Sequence, residues 1–386
     1  MGDVKLEGVE YLRLAVSQKK GVLIAPNHSF HWDSYCLLEA AYRLSIPFYM
    51  MTAWQVFSES NWLDRLSMQR CGCFSVDREG TDTQSLKTAI DILQHRAEPL
   101  VIFPEGDVYH TNDRITSFRE GAAAIAILAA KKSERPIAVL PTAIKRWYVE
   151  DPTPSILNTL NALEKKLAIA PNPGGNLVDR VLKVGDELLA TKESEFLGER
   201  HYGALAERTA NLAEFILRNA EVRYGIPQPK SILPERVKEV RRRVIQEQLT
   251  LQAQDPKKAA SLKQDLDQMF LVTQLYSYPG DYILENPSIE RIAETLDKLE
   301  EDFLDIPYPS VRGKRMVTIR FGTPIELPPG AHRPDRMEGS EESRKIRDRK
   351  YSPSELTEQM QYGVQMMIDQ LNEEHRQNSH DAPRIS

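Results

Sequence analysis

In the first 145 residues, short apolar runs alternate with amphipathic segments, and this alternation constrains the fold more than any other feature. Apolar runs typical of buried strands lie at 21–25, 47–51, 73–76, 100–103 and 137–142. Segments with helical periodicity lie between them, near 33–44, 60–69, 82–96 and 119–132. In the helix predicted at 82–96, Asp82 is a favourable N-cap and one face is apolar. The alternation predicts an α/β fold with a largely parallel mixed sheet covered by helices.

Several of these predicted strands are followed by a residue suited to a functional role. These residues are His28, Arg78, Glu105 and Pro141. In parallel sheets, ligands bind beyond the carboxyl ends of the strands, where such residues converge. We therefore expect the four residues to line one crevice.

The stretch Asn27–Asp33 contains a histidine and a carboxylate five positions apart. On a regular helix, His28 and Asp33 would point roughly 140° away from each other, given about 100° per residue. They can meet only if the chain turns between strand and helix, as the preceding Pro26 indicates. A carboxylate that accepts the imidazole N–H fixes the tautomer and leaves the other ring nitrogen to take a proton, which makes a general base.

The same stretch has other interpretations. His28, His31 and Asp33 could bind a metal, as in a metal-dependent hydrolase, although no further cluster of His and Asp completes a site. His28 could also be a structural histidine. Asn27-His28-Ser29 fits the glycosylation sequon, but nothing else indicates a secreted chain.

Four sequence blocks follow one another in a characteristic order. They are Asn27–Asp33 with the pattern N-H-x-x-x-x-D, Gly72–Arg78 with the pattern G-x-x-x-x-x-R, Phe103-Pro104-Glu105-Gly106, and the late strand with Pro141. Together they resemble the blocks of the glycerolipid acyltransferase family, which includes the lysophosphatidic acid and glycerol-3-phosphate acyltransferases. The resemblance covers roughly residues 20 to 145. A further stretch, 316–325, is similar to the strand and Gly-x-Pro turn that close the family's domain.

The resemblance implies a glycerol-phosphate acyltransferase-like fold. It also implies transfer of a fatty acyl group from acyl-CoA or acyl carrier protein to a hydroxyl of a lysophospholipid or glycerol-phosphate acceptor, with 1-acylglycerol-3-phosphate expected first. His28 and Asp33 would be the catalytic base, and Arg78 would bind the acceptor's phosphate through its planar fork. The other residues assigned to substrate binding are Phe103, Pro104, Glu105, Gly106, Arg119 and Pro141. No metal or organic cofactor is implied.

Two alternatives concern the mechanism. The resemblance implies direct transfer in a ternary complex, but Ser29 adjoins His28 and leaves a covalent route open, although no nucleophile-elbow pattern surrounds it. The chain could instead be a non-catalytic module that binds lipid or acyl carrier protein, and the intact His28–Asp33 pair argues against this.

One departure from the family affects the acceptor. In many members, F-P-E-G is followed by a small hydroxyl residue, an arginine and a serine, whereas this chain has Asp107-Val108-Tyr109-His110. A basic phosphate contact is therefore missing, and Asp107 would repel an anion. Either other basic residues compensate, or the acceptor is an alcohol or amine without a phosphate. The candidates for compensation are Arg114, Arg119, Lys145 and Arg146.

Composition bounds the class of protein. A chain of 386 residues, of which 41% are hydrophobic, can form two domains. The longest uncharged apolar run, Gly121–Ala130, is half of what a membrane-spanning helix needs, and no secretory signal is recognised. The net charge of −6 is not typical of a nucleic-acid-binding protein. The three cysteines are expected to be free thiols. We expect a cytoplasmic enzyme that is peripheral at the inner face of a membrane.

The region between Tyr148 and Gly313 is unusually long for the family. The predicted organisation is an acyltransferase core at 1–147, a helical insertion at 148–313, the closing strand and turn at 314–329, a mobile charged loop at 330–351, a C-terminal helix at 352–375 and a disordered tail at 376–386. Helices of the insertion are predicted near 154–169, 177–191, 203–223, 234–252, 258–276 and 288–304.

Two stretches have both a structural and a functional interpretation. Basic residues near the helix at 234–252 could contact anionic lipid or acidic acyl carrier protein, or could form an ordinary solvated face. They are Lys230, Arg236, Lys238, Arg241, Arg242 and Arg243. The apolar stretch Phe48–Phe57 could be core, or could form an acyl-chain groove or a surface that enters lipid.

Overall fold

The computed structural model describes residues 3–381, except 79, 81, 171, 173, 228–230, 251–254, 305 and 331–351. The chain forms two compact units, one made by the residues up to Val149 and from Lys314 onwards, the other by Glu150–Gly313. The predicted mobile loop (beyond Gly330), Lys230 and the tail after Asp381 lie outside the described residues. No helix among the residues that are described is both long and apolar enough to cross a membrane.

The first unit is built on one mixed sheet. Its described strands are β1 Val4–Glu7, β2 Gly21–Pro26, β3 Tyr49–Ala53, β4 Cys73–Val76, β5 Leu100–Val101, β6 Ile137–Tyr148, β7 Arg315–Phe321 and β8 Ile325–Leu327. Their order in space is β1-β7-β6-β2-β5-β3-β4, and β8 pairs with β6. β7 and β8 run antiparallel to β6, and the other pairs are parallel. This sheet confirms the predicted α/β fold.

Helices cover both faces of the sheet. Those that precede the second unit are α1 Val9–Ser17, α2 Asp33–Leu44, α3 Trp54–Glu59, α4 Trp62–Arg70, α5 Thr83–His95 and α6 Gly121–Lys132. In β2, Val22 and Ile24 share a core with α1 and α2, whereas Leu23 and Ala25 share a core with α5 and α6. Successive strand residues point to opposite faces. Burial on both faces therefore requires the unbroken apolar run seen in the sequence.

The described regular elements of the second unit are all helices. Its helices are α7 Thr153–Lys166, α8 Leu177–Leu197, α9 Leu205–Arg223, α10 Leu233–Thr250, α11 Pro256–Tyr276, α12 Tyr282–Glu285 and α13 Ile289–Phe303. An apolar core joins α8 to α11 and contains Val237, Val240 and Val244 of α10. The short helix α12 was not predicted, since four residues give too little periodicity to recognise.

The basic residues of α10 do not form one solvated face. Arg236 is buried and binds two glutamates of α9. Arg242 and Arg243 both bind Glu239 on their own helix. Pairing with carboxylates offsets the positive charge that would attract an anionic partner. The hypothesis of a basic surface that includes Arg236 is therefore wrong.

Several boundaries differ from the predicted ones. The last helix, α14, runs over Pro353–Asp381 and so continues into the predicted tail. It packs with α5 and α6 on one face of the sheet. β1 and α1 were not predicted, and β1 pairs with β7 from the far end of the chain, a contact without a local signal. β5 ends at Val101, two residues before the predicted end.

Pro141 lies inside β6, because this strand continues to Tyr148 instead of ending at Thr142. β6 pairs with β8 up to Val139 and with β7 from Thr142, so the proline, which has no N–H, lies where the strand changes partner. Its ring packs against Gly363 of α14, where an added Cβ would lie 3.2 Å from Pro141 Cβ. The expectation that Pro141 follows the end of a strand is wrong.

Gly21 begins the strand that leads to His28, and its substitution tests the packing of that strand. A Cβ at Gly21 would lie 1.9 Å from the Leu93 carbonyl oxygen, so we expect Gly21→Ala to lower the free energy of unfolding by about 3 kcal/mol through overpacking. The matched control is Gly121→Ala at the start of α6, where nothing lies within 4 Å and the change should stay within about 1 kcal/mol. Denaturant unfolding measures both, and equal stabilities would contradict the packing described here.

Candidate active site

His28 and Asp33 meet because the chain turns between β2 and α2. β2 ends at Pro26, and Asp33 is the first residue of α2. The Asp33 carboxylate reaches back over the turn, so that Oδ2 accepts from the backbone N–H groups of Ser29 and Phe30 at 2.9 Å each. His28 Nδ1 lies 3.2 Å from the same oxygen. With Nδ1–H donating to Asp33, Nε2 is the nitrogen that can accept a proton.

The Asp33 side chain is fully buried. Its other oxygen, Oδ1, forms an ion pair with Nη1 of Arg146 on β6. Burial by itself would raise the pKa of Asp33, but the guanidinium of Arg146 and the bonds from His28 and the backbone outweigh it, and the pKa lies below its ordinary value. The carboxylate therefore stays charged and holds the imidazole in one orientation.

The F-P-E-G stretch lies directly against His28. The Phe103 ring stacks on the imidazole, with centroids 4.0 Å apart and an interplanar angle of 26°. Glu105 Oε1 accepts from the His28 backbone N–H at 2.6 Å, and Oε2 accepts from the Thr116 N–H at 2.9 Å. Pro104 accepts from the backbone N–H of Arg119 at 2.8 Å. These contacts tie the loop after β5 to the His28 turn on one side and to residues 116–119 on the other.

Gly106 brings together the two arginines that were assigned to substrate binding. Its φ of 74° is in the left-handed region, which favours glycine. The side chain of Arg119 packs over it, and an added Cβ would lie 2.9 Å from Arg119 Cζ. Arg78 donates from Nη1 to the Gly106 carbonyl and lies 3.8 Å from Asp107. Arg78 is about one third exposed, and this cluster therefore reaches the surface.

Two of the candidates for compensating charge have other partners. Lys145 is buried and forms an ion pair with Asp113, and Arg146 binds Asp33. His31 packs its ring near that of His110, with centroids 5.4 Å apart. Among the described residues, His28, His31 and Asp33 do not bring three metal-ligand atoms together.

Residues 3–145 match a protein-family model described as Acyltransferase. The matched region is just over a third of the chain. The match supports acyl-transfer activity in general, and its range contains every residue that the sequence assigned to catalysis or substrate binding. No curated protein matches the chain.

Arg146, Asn27 and Asn112 form a part of the candidate site that the sequence did not indicate as a group. The Asn27 side chain pairs with the backbone of Ile144, accepting from N–H at 2.7 Å and donating to C=O at 3.0 Å. Asn112 does the same with Arg146, at 3.0 and 2.9 Å. The available signal was that residues 143–148 remain rich in strand-forming residues, which indicates that the strand continues past Thr142.

The helix α14 fixes the loop that follows F-P-E-G. Gln361 accepts from the Phe118 N–H at 2.9 Å, and Gln365 accepts from the Ile115 N–H at 3.1 Å. Gln365 also donates to the Asp113 carbonyl at 3.0 Å. These three loop residues lie between Gly106 and the start of α6, so a helix from the end of the chain shapes one wall of the candidate site.

Glu105 predicts a pH dependence of stability. Burial raises its pKa from 4.5 to about 8, so between these values the folded protein holds a proton that the unfolded chain releases. The free energy of unfolding should therefore fall as the pH rises through this window, with the contribution fully present below 4.5 and lost above about 8. Glu105→Gln has no group to titrate and should flatten this slope.

Denaturant unfolding of both proteins at several pH values between about 5 and 8.5 measures the difference. Glu120→Gln is the matched control, since Glu120 is exposed at the start of α6 and should leave the slope unchanged. A slope in Glu105→Gln identical to that of the wild type would contradict the assignment.

Proposed function

We propose that this protein is an O-acyltransferase that moves a fatty acyl group from acyl-CoA or acyl carrier protein to a hydroxyl of a glycerolipid-type acceptor, with 1-acylglycerol-3-phosphate as the first candidate. The observation that carries the proposal is His28 Nδ1 bonded to the buried Asp33 within an acyltransferase domain. Two contacts of His28 support it. Phe103 stacks on the imidazole, and Glu105 holds the backbone N–H of the same residue.

In this mechanism, His28 Nε2 takes the proton from the acceptor hydroxyl as its oxygen attacks the thioester carbonyl. A C–O bond forms, the C–S bond breaks, and the proton passes from the imidazolium to the leaving thiolate. Asp33 fixes the tautomer and stabilises the imidazolium. General-base assistance of this kind contributes about 10² to 10⁴ in rate.

Ser29 supports direct transfer over an acyl-enzyme. Its side chain is buried, and its Oγ accepts from Arg146 Nη2 at 3.0 Å. A nucleophile would have to face the thioester, whereas this hydroxyl faces a guanidinium inside the protein. Transfer in a ternary complex is therefore the proposed route.

The acceptor would bind at the cluster of Arg78, Gly106 and Asp107. Arg78 is suited to a phosphate because its planar guanidinium can donate two parallel bonds. Asp107, 3.8 Å away, offers Arg78 an internal anionic partner that competes with a phosphate. An alcohol or amine without a phosphate is therefore the second candidate acceptor.

A peripheral position on a membrane is part of the proposal, since the acceptor and product are lipids. The stretch Phe48–Phe57 divides into two parts, with Phe48 and Met50 in the core and Trp54 and Val56 exposed. Trp62 of α4 is 71% exposed. Tryptophan favours the interface between lipid and water, and α3 begins directly after β3, at the same edge of the sheet as His28.

The first test of the mechanism is the substitution of the base. We expect His28→Ala to abolish nearly all acyl transfer, a loss of about 10² to 10⁴ in kcat, while the protein stays folded. Asp33→Asn should also be severe, because an amide can favour the wrong tautomer. His31→Ala is the matched control and should be mild. Turnover by His28→Ala above about a tenth of wild type would exclude the mechanism.

The second test concerns the acceptor's phosphate. Arg78→Lys keeps the charge but loses the fork, and should raise KM for 1-acylglycerol-3-phosphate. Asp107→Asn removes the competing carboxylate, and should lower that KM by about two- to fivefold, as for an exposed charge pair. Dephosphorylated acceptors are the control and should respond to neither change. Equal responses with both acceptors would favour the acceptor without a phosphate.

A further inference from the structure

Arg146 contacts the catalytic turn at three residues. Nη1 binds Asp33 Oδ1, and Nη2 donates to Ser29 Oγ at 3.0 Å. The guanidinium carbon also lies 4.6 Å from the centre of the Phe30 ring, within the range of a cation–π contact. Together these contacts hold the turn that carries His28.

The side chain of Arg146 is anchored on a rigid element. β6 lies inside the sheet, between β2 and β7, and Arg146 pairs with Val317 there. Asn112 holds its backbone N–H and C=O with a pair of side-chain hydrogen bonds. The residue is only 5% exposed. A guanidinium anchored in this way cannot turn outward to meet an acceptor's phosphate without leaving Asp33.

We propose that Arg146 is a positioning residue of the reaction: its guanidinium holds the Asp33 carboxylate, and through it the His28 imidazole, in the orientation that the transfer needs. This rests on the proposed base role of His28. It also replaces the earlier alternative in which Arg146 compensates for the missing phosphate contact after F-P-E-G.

The charged groups around His28 and Asp33 determine how loss of the Arg146 guanidinium would affect the protonation of His28. Glu105 faces His28 from the loop after β5, Cys36 lies close to Asp33 on α2, and Arg315 at the start of β7 lies 4.8 Å from the Phe30 ring. Arg146 is the cation that contacts Asp33 directly. Without it, the carboxylate has His28 as its nearest source of positive charge, so the protonated imidazole becomes more favourable. A protonated His28 cannot act as a base.

The experiment compares Arg146→Met, Arg146→Lys and Arg146→Ala in the full chain, with acyl-CoA and 1-acylglycerol-3-phosphate as substrates. We expect Arg146→Met to lower kcat about 100-fold, as for a displaced catalytic group. KM for the acceptor should stay within about twofold, since binding contacts are kept. The acid limb of the pH–rate profile should move to higher pH. Arg146→Lys should recover part of the rate, and added guanidinium should restore activity to Arg146→Ala.

Arg135→Met is the matched control. Arg135 precedes the same strand at its other end, and its guanidinium donates to the backbone carbonyls of Leu93 and Ile92. Its loss should lower stability without moving the pH–rate profile. This separates the loss of a hydrogen-bonded arginine beside β6 from the loss of the contact with Asp33.

Three results would overturn the inference. A rise in KM confined to the phosphorylated acceptor would make Arg146 a phosphate contact. If Arg146→Met lowers only the stability, and the pH–rate profile per folded molecule is unchanged, the role of Arg146 is purely structural. If Arg146→Met is fully active and His28→Ala is inactive, the inference is rejected and the proposed function stands. If His28→Ala is active, the proposed function itself is rejected. If Arg146→Met does not fold, Arg146→Lys and the guanidinium rescue decide.

Discussion

The negative charge of Asp33 is buried, and the candidate site is arranged around it. A carboxylate loses several kcal/mol of favourable hydration on burial, so it must find donors inside the protein. They come from the turn that carries His28 and from Arg146 on β6. β2 and β6 are neighbours in the sheet, so the Asp33 carboxylate links the turn after β2 to β6.

Glu105 is a second buried carboxyl group near His28, and its pKa moves in the opposite direction. Asp33 has a guanidinium partner, which keeps it ionised. Glu105 accepts from neutral donors of His28 and Thr116, and burial raises its pKa to about 8. Two carboxyl groups whose surroundings separate their pKa values can have different roles at one pH.

The loop between Gly106 and α6 is irregular, yet much of it is buried. Buried backbone groups need hydrogen-bond partners, and here amide side chains of α14 and the carboxylate of Glu105 supply several of them. The segment that departs from the family, Asp107–His110, lies in this loop. This wall of the candidate site is thus shaped by a helix that lies more than 200 residues away in the sequence.

The sequence by itself determined what depends on local pattern. The apolar run of β2, the apolar face of α5 and the turn before α2 were predicted because side-chain periodicity and turn-forming residues act over a few positions. His28 and Asp33 were placed together because only one local geometry lets them meet. Their catalytic role and those of Arg78, Phe103–Gly106 and Arg119 stay predictions.

The tertiary structure alone decided which partner each buried charge has. Arg146 binds Asp33, 113 residues away, and Arg236 turns inward to glutamates of α9 although its helix has the pattern of a basic surface. Pro141 lies inside a strand because β6 changes partner there, and β1 exists because β7 lies beside it. Burial makes an ion pair depend on the exclusion of water by distant segments. No local pattern in a sequence records which segments those will be.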